Sequence, residues 1–173
     1  MLKRLRFFAL LLIATGSPLG LALLPQAAAA EPSVRIAAYG RYEIRSSGTS
    51  EKAERTVAGE VRPVATKKLI ETTDTIVGQL GITFGIEIDL EGFPPGEVLL
   101  TIRTIHPKLT NDERGVAMTV SEFDWPVIER RGVYFGFTFD HRWEIAEGEW
   151  TKQIVYQGRV LAEKKFKIIV PIN

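Results

Sequence analysis

The sequence contains no cysteine, and only two histidines, His106 and His141. Without thiols there is no thiol catalysis, no Cys-ligated metal and no iron–sulfur cluster. The lipid-modified N-terminus of a bacterial lipoprotein, which needs a cysteine after its apolar leader, is excluded too. A domain with no disulfide has to be held together by its core alone. Two histidines and no Gly-x-Ser-x-Gly elbow leave the serine-hydrolase template without its parts. No spacing of His, Asp and Glu suits a metal, and no glycine-rich loop suits a phosphate. No metal or cofactor is expected.

The first thirty residues read as a signal peptide rather than as part of the fold. Lys3, Arg4 and Arg6 precede an apolar stretch from Phe7 to Leu24, and Pro25 with Ala27 to Ala30 supplies the small residues of a cleavage site. Cleavage near Ala30 is expected, which sends residues 31–173 to the periplasm or outside the cell and leaves only transient contact with the membrane. An uncleaved anchor is the alternative, since the apolar stretch is just long enough to span. Once the three leader cations are gone, 19 basic side chains face 21 acidic ones, a net charge of −2. That balance offers no electrostatic footprint for nucleic acid.

The rest reads as strands and turns. The clearest strand is Ile82 to Leu90, where Ile82, Phe84, Ile86, Ile88 and Leu90 face one way and Thr83, Gly85, Glu87 and Asp89 the other. Val34–Ile44, Thr56–Val64, Lys68–Thr73, Val98–Ile105, Val116–Val120 and Val133–Phe139 are expected as further strands. His106-Pro107 is expected to stop one of them, and Ser121–Gly132 to hold a helical turn capped by Ser121. The chain ends in a hairpin, Trp150 to Val170. Trp150, Ile154 and Tyr156 share one face of its first arm; Val160, Ala162, Phe166, Ile168 and Val170 share one face of its second. Both sets are even-numbered, so pairing even with even predicts an odd-length loop with a bulge around Gly158. Lys152 and Lys164 interrupt the stripe; their stems are expected along the apolar face with the ammonium groups in water. Seven to nine short strands with regular turns predict an all-β, antiparallel two-sheet sandwich of immunoglobulin type. An eight-stranded barrel is the alternative.

The motifs also resemble a family. Leu80-Gly81 with Phe84-Gly85, His106-Pro107, Trp143-Glu144-Ile145, Gly148-Glu149-Trp150-Thr151, and Gly158 to Glu163 with Phe166 resemble small bacterial proteins carrying a domain of unknown function. The resemblance spans about Tyr39 to Val170. It implies an immunoglobulin-like fold, often an export signal, and no known catalytic residue.

The functional expectation is an exported, non-enzymatic binding or interaction module of the cell envelope, with an envelope protein or peptide as partner. A hydrolase of an envelope polymer and a carbohydrate- or peptide-binding module stay open beside it. The candidate contact residues are Trp125, next to Pro126 in an expected loop, and the polar cluster Asp140, His141 and Arg142. Trp150 is expected in the core and Trp143 at one end of it.

Overall fold

The computed structural model describes residues 30–171, so the expected signal peptide, but for Ala30, lies outside the described residues. The strands are β1 (Ser33–Ser46), β2 (Glu51–Lys52), β3 (Glu60–Val61), β4 (Val64–Glu71), β5 (Thr75–Val77), β6 (Thr83–Glu91), β7 (Val98–Asn111), β8 (Val116–Val127), β9 (Val133–Thr138), β10 (Gly148–Tyr156) and β11 (Arg159–Ile169). A single 3-10 turn, Arg142–Glu144, precedes β10. Nine of these strands form two sheets, ordered β4-β1-β6-β9 and β5-β11-β10-β7-β8, and β2 pairs only with β3. All pairings are antiparallel except that of β5 with β11. The result is an all-β immunoglobulin-like sandwich.

The alternation in β6 places the core. Phe84, Ile86 and Ile88 are fully buried and face Leu100, Ile102, Trp150, Ile154, Phe166 and Ile168 from the opposing sheet. Phe84 is the hub. Its ring lies 5.1 to 6.0 Å from those of Phe166, Phe139, Trp150 and Phe137, mostly tilted or edge-on. Burying one such side chain contributes roughly 1.5–3 kcal/mol, which is how a chain without disulfides holds two sheets together.

The closing hairpin meets the parity demand, but not where the sequence suggests. The loop has two residues: Tyr156 pairs with Arg159 across Gln157-Gly158, both with positive φ (49° and 79°). This is the turn whose twist matches that of the strands. Val155 pairs with Val160 and Ile154 with Ala162, so Leu161 is an extra residue. That bulge, inside the strand rather than in the loop, restores even-with-even pairing.

Three local expectations are corrected. His106-Pro107 does not end β7; the pairing with β8 shifts between Ile105 and Leu109 and then resumes to Asn111. Proline has no N–H to donate, and a bulge is where a strand tolerates that. Ser121–Gly132 holds no helical turn, because β8 runs on through Val127 against β7. Thr56–Val64 is not a strand either. Thr56 accepts and donates within a tight turn, Ala53 to Gly59, and only Glu60–Val61 forms a short pairing before β4.

Candidate functional site

The chain between β1 and β4 is a strap. It leaves one sheet and is tied down on the free edge of β8 in the other. The Arg55 carbonyl accepts from the Glu122 N–H (2.9 Å), and the Arg55 guanidinium reaches Glu122 and Asp124 (2.6 and 2.8 Å). Val57 is buried in the core, and its N–H donates to Ser121 Oγ. Arg114 donates to the carbonyls of Thr56 and Val57 (2.7 and 3.0 Å) and Asn111 to that of Val57. On the other side Lys67 on β4 reaches the Gly132 carbonyl and pairs with Glu87 (2.8 Å), and Arg62 pairs with Asp140 (3.4 Å). The strap is thus also tied to the turn that follows β9. A cavity of about 1050 Å³ lies among the strap, β9 and the edge of β8.

Lys152 is the unexpected element of this cavity. It sits on β10 between Trp150 and Ile154, both fully buried, and is itself only 2% exposed. Its ammonium is therefore not in water. Nζ donates to Thr104 Oγ1 (3.2 Å) and to the carbonyl of Gly136 on β9 (3.3 Å). Among the described residues it has no carboxylate partner. Burial pushes its pKa down to about 7. Lys164, the other interruption of the stripe, behaves nearer to expectation: its Nζ lies 3.7 Å from the centre of the Tyr39 ring and 3.6 Å from Asp74.

Lys152 pairs with Thr104 on β7, and Thr104 with Ser121 on β8, so the three form one row across the sheet. Next to that row His106, in the β7 bulge, is buried against Trp150. Its Nδ1–H donates to the Pro107 carbonyl (2.8 Å), which leaves Nε2 to accept from the Ser121 hydroxyl (2.9 Å). Burial holds this imidazole below its ordinary pKa, and the charge of Lys152 acts in the same direction.

The outer wall is built around a row of glycines, Gly40, Gly85 and Gly136, paired side by side across β1, β6 and β9. The Tyr134 ring fills the space over Gly85 and Gly136. A Cβ at Gly136 would lie 2.0 Å from the Tyr134 hydroxyl. Tyr42 packs on Tyr134 with ring centres 4.8 Å apart. Both phenol oxygens are buried and neither makes a well-formed hydrogen bond, although the Glu87 carboxylate stands next to that of Tyr42. Burial raises both pKa values, and the Glu87 carboxylate adds to the effect.

The sequence-predicted contact residues separate. Trp125 is half-buried in β8 rather than in a loop, edge-on to Phe123, and lines the cavity. Asp140 and His141 stand at the rim. Asp140 pairs with Arg62 of the strap, not with Arg142, which is exposed and outside the lining. His141 stacks on the half-buried Trp143 (5.5 Å). The buried Glu144 carboxylate accepts from the N–H groups of Asp140 and His141 (2.6 and 2.7 Å), so it fixes the turn. The residues missed from sequence are Lys152, Tyr42, Thr104, Ser121 and His106. The one available signal was Lys152 itself, a cation in the apolar phase of its strand.

A lysine, two phenols and a serine line one cavity, the serine hydroxyl bonded to His106 behind it, and such groups can bind an acceptor group or move a proton. No cluster of metal-ligating side chains occurs among the described residues.

Comparison with known proteins places this architecture. In solved structures it is similar to an immunoglobulin-like protein from Pseudomonas aeruginosa, with a TM-score of 0.60 and 22% identity, over 82% of this chain and 99% of that one. At that identity the likeness establishes the fold. No curated protein matches the sequence. The model of the domain of unknown function DUF3859 matches residues 30–168. With nearly the whole described chain covered, the protein belongs to the DUF3859 family.

Proposed function

We propose that the protein is an exported, non-enzymatic binding module of the cell envelope, with the cavity beneath the strap as its binding site. The observation that carries this reading is a large cavity lined by a buried cation: among the described residues Lys152 has no counter-ion, only the neutral oxygens of Thr104 and Gly136. Buried polar groups left this way are costly unless something supplies the missing half. Export follows the leader read from the sequence. Strand addition is not favoured at β9, because the Lys152 ammonium occupies its edge at Gly136. The outer edge of β4 is free and largely exposed, and there an envelope protein or peptide could still pair. Thermal-shift and calorimetric titration of the purified protein with small molecules and glycans tests the cavity. Crosslinking in intact cells, with the N-terminus read by mass spectrometry, tests partner and export. A protein that binds nothing in either assay is not a binding module.

One observation favours a second reading, a hydrolase. The Ser121–His106 hydrogen bond has the geometry of a nucleophile with its base. Covalent labelling by a fluorophosphonate, lost in Ser121→Ala, would establish it; an unlabelled protein would dispose of it.

A further inference from the structure

We propose that the cavity takes an organic monocarboxylate with an aromatic or apolar body, its carboxylate received by Lys152 beside Gly136 and its body lying against Phe123, Trp125, Phe137 and Trp143. The inference rests on the cavity being the ligand site argued above, and it names the chemistry of the ligand.

The charge balance argues for an anion. An ammonium has three N–H donors, and Lys152 spends two of them on neutral oxygens, Thr104 Oγ1 and the Gly136 carbonyl. The carboxylates around the cavity are committed elsewhere or point to solvent. Glu144 holds two backbone N–H groups. Asp140 pairs with Arg62, and Glu60 with Arg62 and Ser50. Glu43 and Glu129 are exposed. Removing a cation from water without a counter-charge is unfavourable, and an entering carboxylate supplies that charge.

The neighbouring groups are donors as well. Both backbone groups of Phe139 are bonded towards β6: its N–H to the Ile82 carbonyl and its carbonyl from the Gly81 N–H. Alternation along a strand then turns the N–H and carbonyl of Gly136 to the free edge. The carbonyl is the one that Lys152 holds, so the Gly136 N–H stands beside it. The Tyr134 hydroxyl lies over the same residue, without a partner. Ammonium and amide N–H therefore stand side by side at Gly136, where an anionic oxygen would satisfy both.

The ligand carries one negative charge and not more. The other cations of the lining, Arg41, Arg62 and Lys67, are paired with Glu71, with Glu60 and Asp140, and with Glu87. A phosphate dianion is received by guanidinium forks or several cations, and a single ammonium matches a monoanion. The half-buried aromatic walls call for an apolar body.

The test uses matched probes. Phenylacetate, indole-3-acetate and decanoate are each titrated calorimetrically against the primary amide of the same acid, on wild type and on Lys152→Met, whose buried side chain is of similar length and apolar. At least one acid is expected to bind tenfold or more tighter than its amide at pH 6.5. Lys152→Met is expected to abolish that preference, the acid losing at least tenfold more affinity than its amide. The ε-CH2 resonance of Lys152 should report a raised pKa on saturation with acid and none with amide. Acid and amide binding alike would overturn the carboxylate and leave the ligand-binding reading standing. Binding of neither would remove the cavity as a ligand site altogether. A preference that survives Lys152→Met would overturn Lys152 as its receptor.

Discussion

Lys152 Nζ lies 3.3 Å from the carbonyl oxygen of Gly136, so a side chain of one sheet's inner face is bonded to the free edge strand of the other. The contact closes the sandwich at the cavity and places a cation where, among the described residues, no carboxylate meets it.

Lys152 makes stability depend on pH in an unusual window. Its folded pKa, about 7, is below the ordinary 10.5. Between those values the unfolded chain binds the extra proton, so stability rises with pH through the window. Below pH 7 both states are protonated and the full burial penalty is present; above 10.5 it is gone. The gain is bounded by about 1.4 kcal/mol per pH unit. Urea unfolding of unliganded wild type at pH 7, 8 and 9 should show rising stability. Lys152→Met should be more stable at pH 7 and flat across the range.

Gly85 and Gly136 differ in what a methyl group would meet. At Gly85 a Cβ would lie 2.6 Å from the Phe135 carbonyl, a backbone atom; at Gly136 it would meet the Tyr134 ring and hydroxyl. A side chain can turn away more easily than a strand can move. Gly136→Ala should cost about 1–3 kcal/mol and change the near-ultraviolet tyrosine signal. Gly85→Ala should cost more, measured by the same denaturant melts.

Gln157 occupies the left-handed region in the closing hairpin, with φ 49°. Asparagine tolerates that conformation better than glutamine. Gln157→Asn should stabilise the protein by roughly 0.5 kcal/mol, read as a small rise in Tm.

Arg114 ties the strap to the sandwich through two carbonyls, Thr56 and Val57. Arg114→Ala should speed amide hydrogen exchange over residues 53–59 while leaving β6 and β10 protected. Uniform loss of protection would show that the strap opens only with global unfolding.

Much of the sandwich is legible in the sequence because strand alternation is local. The phase of Ile82 to Leu90 marks the core face of β6, and Trp150, in the matching phase of β10, is fully buried. The even-numbered stripes of the closing hairpin demand a parity correction, and Leu161 supplies it. The family is legible because its motifs are short runs of adjacent residues, all within the 30–168 match.

The cavity was decided by tertiary structure alone. No local pattern says that β8 and β9 are edge strands on the same flank, or that residues 47–63 cross between the sheets to bury Val57. Ser121 looks like a helix cap until β7 pairs with it, and then its hydroxyl meets His106. Lys152 looks able to reach water from the apolar stripe; whether it does depends on what lies at the end of its stem. The free edge of β9 lies there, and a carbonyl takes the place of solvent. A strand's period tells which face each residue takes, whereas the partner across the gap is set by residues far away in the chain.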